Sequence, residues 1–296
     1  MEFMNKNNIL GIVITYNADV RELIENICQY LDYINELIVW QNSLLSEAER
    51  QQIIDYTDKE KVTFQGNGNN VGIAAALNWS ISYAKTKNYQ YLMSMDQDSY
   101  WVNAEHYLKQ IALFDDSKAL IFGPKTISVD DGEQINHTKI EANVYREVDF
   151  VITSGAIYDI KLFSEIGLFP KEYFIDAIDE EICYRALKYG YKTVCIQDAF
   201  LKQHFGEHTH KKILGRTIIV ANYAAFRYFY IVRNHIWLAN SGLVKGKTKW
   251  LIIYNYVFSP LLKVLLIEKN KGKKLKAIFK GVFLGLFNIP KKEKLN

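Results

Sequence analysis

Apolar and polar positions alternate between two regimes along the first hundred residues. Ile9-Leu10-Gly11-Ile12-Val13-Ile14-Thr15-Tyr16 is a nearly continuous apolar run that stops at Asn17, the pattern of a strand buried on both faces. Val20, Leu23, Ile24, Ile27, Tyr30 and Leu31 then recur at helical spacing. Residues 36–40 predict a second strand, closed by Gln41-Asn42-Ser43. Ser46 can cap a helix carrying Ile53 and Ile54, and residues 62–64 read as a third strand. A turn-rich segment, 66–70, leads into an alanine-rich helix over 71–85. Residues 89–95 are a fourth strand, ending on Asp96. Strands alternating with helices predict an α/β layered sheet with right-handed crossovers.

The later pattern is less regular. Residues 119–122 and 149–153 read as strands, and Ser154-Gly155 as a turn. Residues 179–189 predict a helix closed by Gly190, and 193–196 a strand followed by His204. From about Arg216 the pattern turns helical and aromatic. The expected division is a domain over 1–215 and a helical C-terminal extension over 216–296.

Composition narrows this picture. The chain has 296 residues, 49% apolar and 23% charged, which suits a globular core. A formal net charge of +3 gives no electrostatic reason to expect nucleic acid as a partner. Cys28, Cys183 and Cys195 have neither zinc-ribbon nor redox spacing, so reduced thiols in the cytoplasm are expected. The polar start of the chain shows no apolar signal core.

In open α/β sheets, ligands lie at the carboxyl ends of the strands. The polar residues there are Thr15-Tyr16-Asn17, Gln41-Asn42-Ser43, the Asn69-Asn70 loop and Asp96-Gln97-Asp98. Two carboxylates two residues apart at a strand end can ligate Mg²⁺ or Mn²⁺, with a diphosphate supplying further oxygens. A solvated Asx turn would read the same way. Residues 66–72 resemble a dinucleotide-binding glycine motif but fail its spacing, because position 71 is Val71 and Gly72 falls one place late. Small residues at that helix start let either a ligand or a neighbouring backbone come close. Asp176, Asp179, Glu180 and Glu181 concentrate acid at the start of a helix, with Arg185 four residues beyond Glu181. That pattern gives an N-terminal cap with an ion pair, or a general base toward a hydroxyl. His204 is either a structural histidine or a third metal ligand.

Taken in order, these segments resemble the inverting family-two glycosyltransferases of the GT-A fold, a Rossmann-like, mostly parallel sheet flanked by helices. The bacterial rhamnosyltransferase branch is the most similar. The resemblance runs from Ile9 to His210, with a weaker echo from Arg227 to Asn234. It implies donor contacts at Thr15, Tyr16, Asn17, Asn42, Asn70, Gly72, Asn78, Asp96 and Gln97. It implies a cation on Asp98, Asp96 and His204, and an acceptor side at Ser154, Gly155, Asp176, Glu181 and Arg185. Asp179 matches the catalytic base. Gln41 and Ile178 stand where many members carry acids.

The implied reaction is a single inverting displacement. It moves a sugar, foremost L-rhamnose from dTDP-rhamnose and secondly a UDP-sugar, onto a glycan or lipid-linked glycan of the cell surface. Two rivals remain. A nucleotidyltransferase would open with a glycine-rich phosphate loop, which Thr15-Tyr16-Asn17 lacks. A non-catalytic sugar-nucleotide-binding subunit would have lost a key carboxylate.

Residues 250–267 are apolar enough to approach a membrane span but include Asn255, Pro260 and Lys263. With the lysines that follow, this segment suits the inner face of an anionic membrane, packing on the domain, or a homodimer contact.

Overall fold

The computed structural model describes residues 8–128, 144–203, 209–213, 216–220, 222–287 and 290. The first half forms as its apolar pattern predicts. Strand β1 (Ile9–Thr15) is central, with β2 (Glu36–Gln41) and β4 (Tyr91–Asp96) parallel on its two sides and β3 (Val62–Gln65) beyond β2. In register, Thr15 lies opposite Gln41 and Ile14 opposite Asp96. The strand ends therefore form one polar edge. Helices α1 (Val20–Cys28), α2 (Glu47–Tyr56) and α3 (Gly72–Thr86) make the crossovers. Ser46 and Glu49 form a reciprocal capping box at α2.

Both faces of β1 are buried, which is why its run is continuous rather than alternating. Ile9 and Val13 pack with Leu23, Ile27 and Tyr107 on one side. Leu10 and Ile12 pack with Leu77, Ile81 and Phe169 on the other.

The second half extends the sheet with β5 (Ser99–Trp101), β6 (Ala119–Ser128), β7 (Tyr145–Val148), β8 (Ile157–Asp159) and β9 (Lys192–Gln203), in the order β3-β2-β1-β4-β8-β6-β9-β5, with β7 beside β9. β8 runs antiparallel to both β4 and β6, so the sheet is mixed. Helices α4 (Ala104–Leu113), α5 (Lys161–Ile166) and α6 (Ile178–Lys188) cover it. Two expectations differ from what forms. Residues 149–153 are not a strand; the strand is β7, just before them. Arg216–Val220 is a strand, β11, paired with β10 (Thr209–Ile213); its Ile218, Ile219 and Val220 favour extended backbone. Helix begins only at α7 (Ala225–Asn240).

The chain then forms α8 (Gly246–Ile253), a π-helical turn (Tyr254–Phe258), α9 (Ser259–Leu266) and α10 (Lys271–Phe287). Gly281 and Gly285 let α10 lie directly against α7, since a Cβ on either would meet Phe229 O at 2.8 Å or Ile236 Cβ at 2.9 Å. Trp237 of α7 reaches the core on the α3 side of the sheet.

Two buried polar clamps hold the layers together. The Arg185 guanidinium is fully buried and grips both oxygens of Glu181 and the carbonyls of Ile166 (3.0 Å) and Leu168 (2.8 Å). Asn78 Nδ2 donates to Phe169 O (2.7 Å), and Phe169 N–H donates to Asn78 Oδ1 (2.9 Å). Asn78→Ala leaves both backbone groups of Phe169 unpaired in the core, so it should cost about 2–4 kcal/mol. A urea unfolding series checks this, and an unchanged midpoint contradicts it.

Candidate functional site

The polar strand edge opens into a cleft of about 540 Å³. Its floor on the sheet side is Ile14, Tyr16, Asn42, Asp96, Gln97 and Asp98. The polar side chains here tie loop to loop. Gln97 Oε1 accepts from Tyr16 N–H at 2.7 Å and its Nε2 donates to Tyr16 O at 3.1 Å, pinning the ends of β1 and β4 together. Asn42 Oδ1 accepts from Val71 N–H (3.2 Å), and Asn70 Oδ1 from Gly72 N–H (3.1 Å).

Gly72 settles what the small residues at the start of α3 are for. Its φ is +80°, and a Cβ there would sit 2.6 Å from Phe174 O. The Ile73 N–H donates to that same oxygen at 2.8 Å. A neighbouring backbone takes up the space.

Asp96 and Asp98 share the cleft. Gln203 Nε2, from the end of β9, donates to Asp96 Oδ2 at 2.7 Å, and Asp96 N–H donates to Ser154 Oγ at 3.2 Å. Burial, then the adjacent Asp98 carboxylate, push the Asp96 carboxyl up to about 7, with Arg227 and Gln203 pulling the other way. Two carboxylates crowded in this way suit a divalent cation, whose charge would relieve them. Among the described residues no group of three His, Cys, Asp or Glu side chains gathers for a metal. A cation here would take its other oxygens from diphosphate and water. His204 lies outside the described residues.

Asp176, Asp179 and Glu180 give the same cleft a second group of acids, an acid wall formed where α6 begins. Asp179 occupies the first turn of α6 and accepts from Glu180 N–H at 3.0 Å. Burial, then the neighbouring Glu180 charge, push its carboxyl up to about 7, where a base is effective near neutrality.

The turn before α6 is strained. Phe174, Asp176 and Ala177 have φ of 61°, 65° and 62°, which costs such residues about 1–3 kcal/mol each. Helix α7 holds it. Asn234 Nδ2 donates to the carbonyls of Tyr173 (2.8 Å), Ile175 (2.7 Å) and Asp176 (2.9 Å). Arg233 Nε fixes the orientation of that amide by donating to Asn234 Oδ1 at 3.0 Å. Phe174 stacks on Tyr230 with ring centroids 5.0 Å apart.

The C-terminal helices also line the cleft, through Phe226, Arg227, His235 and Tyr256. Tyr256 OH donates to Glu180 Oε1 at 2.8 Å, and His235 Nε2 lies 3.3 Å from Glu180 Oε2. His235 Nδ1 faces Ile231 O at 2.6 Å. Burial alone would raise the Glu180 carboxyl, but His235 and Tyr256 overcome it and hold it below its ordinary value. Burial likewise works to lower His235, and Glu180 holds it above its ordinary value. With acceptors at both nitrogens, the ring fits a buried imidazolium.

The sequence-based list therefore divides. Tyr16, Asn42, Asn70, Gly72, Asp96, Gln97, Asp98, Asp176 and Asp179 line the cleft. Thr15 does not; it is buried and its Oγ1 donates to Trp40 O at 3.0 Å. Asn17 stands beside the cleft with its N–H on Ser43 Oγ at 2.7 Å. Asn78 is committed to Phe169. On the expected acceptor side, Glu181 and Arg185 are bound to each other in the core. Ser154 supports Asp96, and Gly155 N–H donates to Ser94 O at 2.7 Å. Gln41 is spent on Leu45 N–H at 3.1 Å. No motif in the sequence marks Gln203, Phe226, His235 or Tyr256. For Arg227 and Asn234 the signal was the echo over 227–234.

The chain is similar to known proteins in sequence and in fold. A dTDP-rhamnosyl transferase, RfbF, of Shigella flexneri is 29% identical over 280 residues, 90% of each chain. A mannosyltransferase from Pyrobaculum calidifontis, solved with GDP-Man and Mn²⁺, superposes with a TM-score of 0.59 at 13% identity, over 95% of this chain and 87% of its own. GalNAc-T7, solved with UDP, GalNAc and Mn²⁺, gives 0.60 at 12% identity over 97% of this chain, which spans 57% of that longer protein. These likenesses identify the fold as GT-A-like. The model of the glycosyl transferase family 2 matches residues 12–170, and the chain belongs to that family of glycosyltransferases.

Proposed function

We propose that this protein transfers a sugar, foremost L-rhamnose from dTDP-rhamnose, to a hydroxyl of a glycan or lipid-linked glycan by one inverting displacement. The observation that carries the reading is the cleft itself. The paired carboxylates Asp96 and Asp98 line it together with Asp179. The relative named as a dTDP-rhamnosyl transferase supports the choice of donor. A UDP-sugar is the alternative donor.

The donor lies along Tyr16, Asn42, Asn70 and Gln97, with its diphosphate toward Asp96 and Asp98. Asp179 takes the proton from the acceptor hydroxyl as that oxygen attacks the anomeric carbon. The bond to the diphosphate breaks, and its electron pair leaves with the nucleotide. Mg²⁺ or Mn²⁺ on Asp98 and Asp96 would supply positive charge to that leaving group. Asp176 borders the acceptor. The strands of the site fall in the domain over 1–215, and Phe226, Arg227, His235 and Tyr256 of the extension over 216–296 line the same cleft.

Membrane attachment at the cytoplasmic face is part of this reading. Trp250, Tyr254, Phe258, Leu262 and Leu266 are exposed along α8–α9, and Phe279, Phe283, Leu286 and Phe287 along α10. Gly246–Leu266 is long and apolar enough to cross a bilayer by length and composition. Ten lysines lie between 245 and 280 against one acid, Glu268. Aromatic faces bordered by lysine suit the surface of an anionic membrane.

Three outcomes are expected. Asp179→Asn lowers kcat by roughly 10²–10⁴-fold with donor affinity kept. Asp179 must be ionised to act, so with its carboxyl near 7 the wild-type kcat/KM falls about tenfold per pH unit below 7 and levels off above it. A pH-independent rate, or near-normal transfer by the variant, removes Asp179 from the role. EDTA stops transfer, Mn²⁺ or Mg²⁺ restores it, and Asp98→Ala loses metal-dependent donor binding. Full activity in EDTA refutes the metal. The protein pellets with phosphatidylglycerol vesicles and not with phosphatidylcholine vesicles, and Trp250→Glu with Phe283→Glu abolishes this. A protein that dimerises and pellets with neither makes the apolar face a subunit contact.

A further inference from the structure

The charge balance of the cleft is lopsided. Five carboxylates line it: Asp96, Asp98, Asp176, Asp179 and Glu180. His235 is occupied by Glu180. Among the described lining residues, Arg227 is the one guanidinium or ammonium. A sugar nucleotide brings more negative charge into this space. One divalent ion beside Asp96 and Asp98 is largely spent on those two carboxylates.

Arg227 sits in the first turn of α7 and lines the same cleft as both groups of acids. Its Nη2 donates to Asp176 Oδ1 at a long 3.3 Å, and its guanidinium lies 4.2 Å over the Tyr223 ring. The Asp96 carboxylate also acts on it. The contact to Asp176 is single rather than a two-bonded fork. Arg227 Nε and Asp176 Oδ2 are both buried without a hydrogen-bond partner, as is Gln203 Oε1 beside Asp96. Buried polar atoms are normally paired, and arginine favours bidentate contact with phosphate. The orphaned atoms mark a pairing that is half made without a ligand.

We infer that Arg227 receives the diphosphate of the sugar nucleotide, exchanging its end-on contact with Asp176 for a phosphate oxygen. This deepens the glycosyltransferase reading of the cleft and rests on it. As the anomeric bond breaks, the leaving diphosphate gains an electron pair, and a guanidinium already in place stabilises it. Asp176 holds Arg227 toward the cleft until the donor arrives. Stacking on Tyr223 restrains the guanidinium plane.

The test is calorimetric binding of dTDP and of UDP, each in EDTA and again with Mn²⁺, alongside donor kinetics. Arg227→Gln should weaken binding about tenfold or more in EDTA and lower kcat more than it raises KM. Arg227→Lys should recover part of both effects. Asp176→Asn, which frees the guanidinium, should bind the nucleoside diphosphate as tightly as wild type or more so. Wild-type affinity in Arg227→Gln overturns the inference. So does equal loss in Arg227→Gln and Asp176→Asn, which would make the pair structural. If Arg227→Gln does not fold, Arg227→Lys decides, and wild-type binding and kcat in it overturn the assignment. A wild-type protein that binds neither nucleotide in either condition overturns the donor-site reading itself, and this inference with it.

Discussion

One carboxamide sets the geometry of the acid wall. Asn234 has two amide hydrogens and three carbonyl acceptors on a turn whose backbone would not hold its shape alone. Three non-glycine residues with positive φ are expensive, and they persist only where the surroundings over-determine them. Here the surroundings are the Asn234 amide, the Arg233 contact that orients it, the Phe174–Tyr230 stack and the Ile73 N–H on Phe174 O. The turn delivers Asp176 to the cleft and launches α6 with Asp179 in its first turn. Gly72 is the other half of the same contact, since no side chain fits between α3 and Phe174.

It follows that the C-terminal helices are not a passive appendage. α7 clamps the turn, and Tyr256 from the π-helical segment reaches Glu180, the neighbour of the proposed base. A π turn shifts the register of a helix. Within one turn, Tyr256 faces the cleft while Tyr254 and Phe258 are exposed. The helix that carries the apolar outer face is therefore also a wall of the site. Glu180 has a double effect. Its charge helps keep Asp179 protonatable near neutrality, while His235 and Tyr256 keep Glu180 itself ionised.

The strand-end half of the site was legible in the sequence because it is local. Apolar runs buried on both faces end abruptly at Tyr16, Asn42 and Asp96, and parallel pairing brings those ends to one edge. Thr15 and Asn78 read as donor contacts in sequence because a polar residue beside a ligand loop looks the same whether it faces the ligand or, as these two do, a backbone group. Phe169, the partner of Asn78, is 91 residues away. Glu181 and Arg185 show the right spacing for a surface pair, yet their helix face is buried by the 166–168 carbonyls, which no spacing reveals. Residues 149–153 carry a strand-like Val-Ile-Thr run. Its Ile152 and Thr153 line the cleft instead, and Thr153 O accepts from Ser94 Oγ rather than from a ladder. Arg227, Asn234, His235 and Tyr256 sit in helices whose periodicity is that of any packed pair, and their partners lie 51 to 76 residues away.

Helix α7 thus holds the acid wall in a conformation the chain would otherwise leave. Amide hydrogen exchange across residues 173–180, in wild type and in Asn234→Leu, tests it most directly. Loss of the Asn234 amide should give faster exchange in that turn, unchanged exchange in β1 and β4, and a lower transfer rate. Unchanged exchange in the turn with full transfer would contradict it.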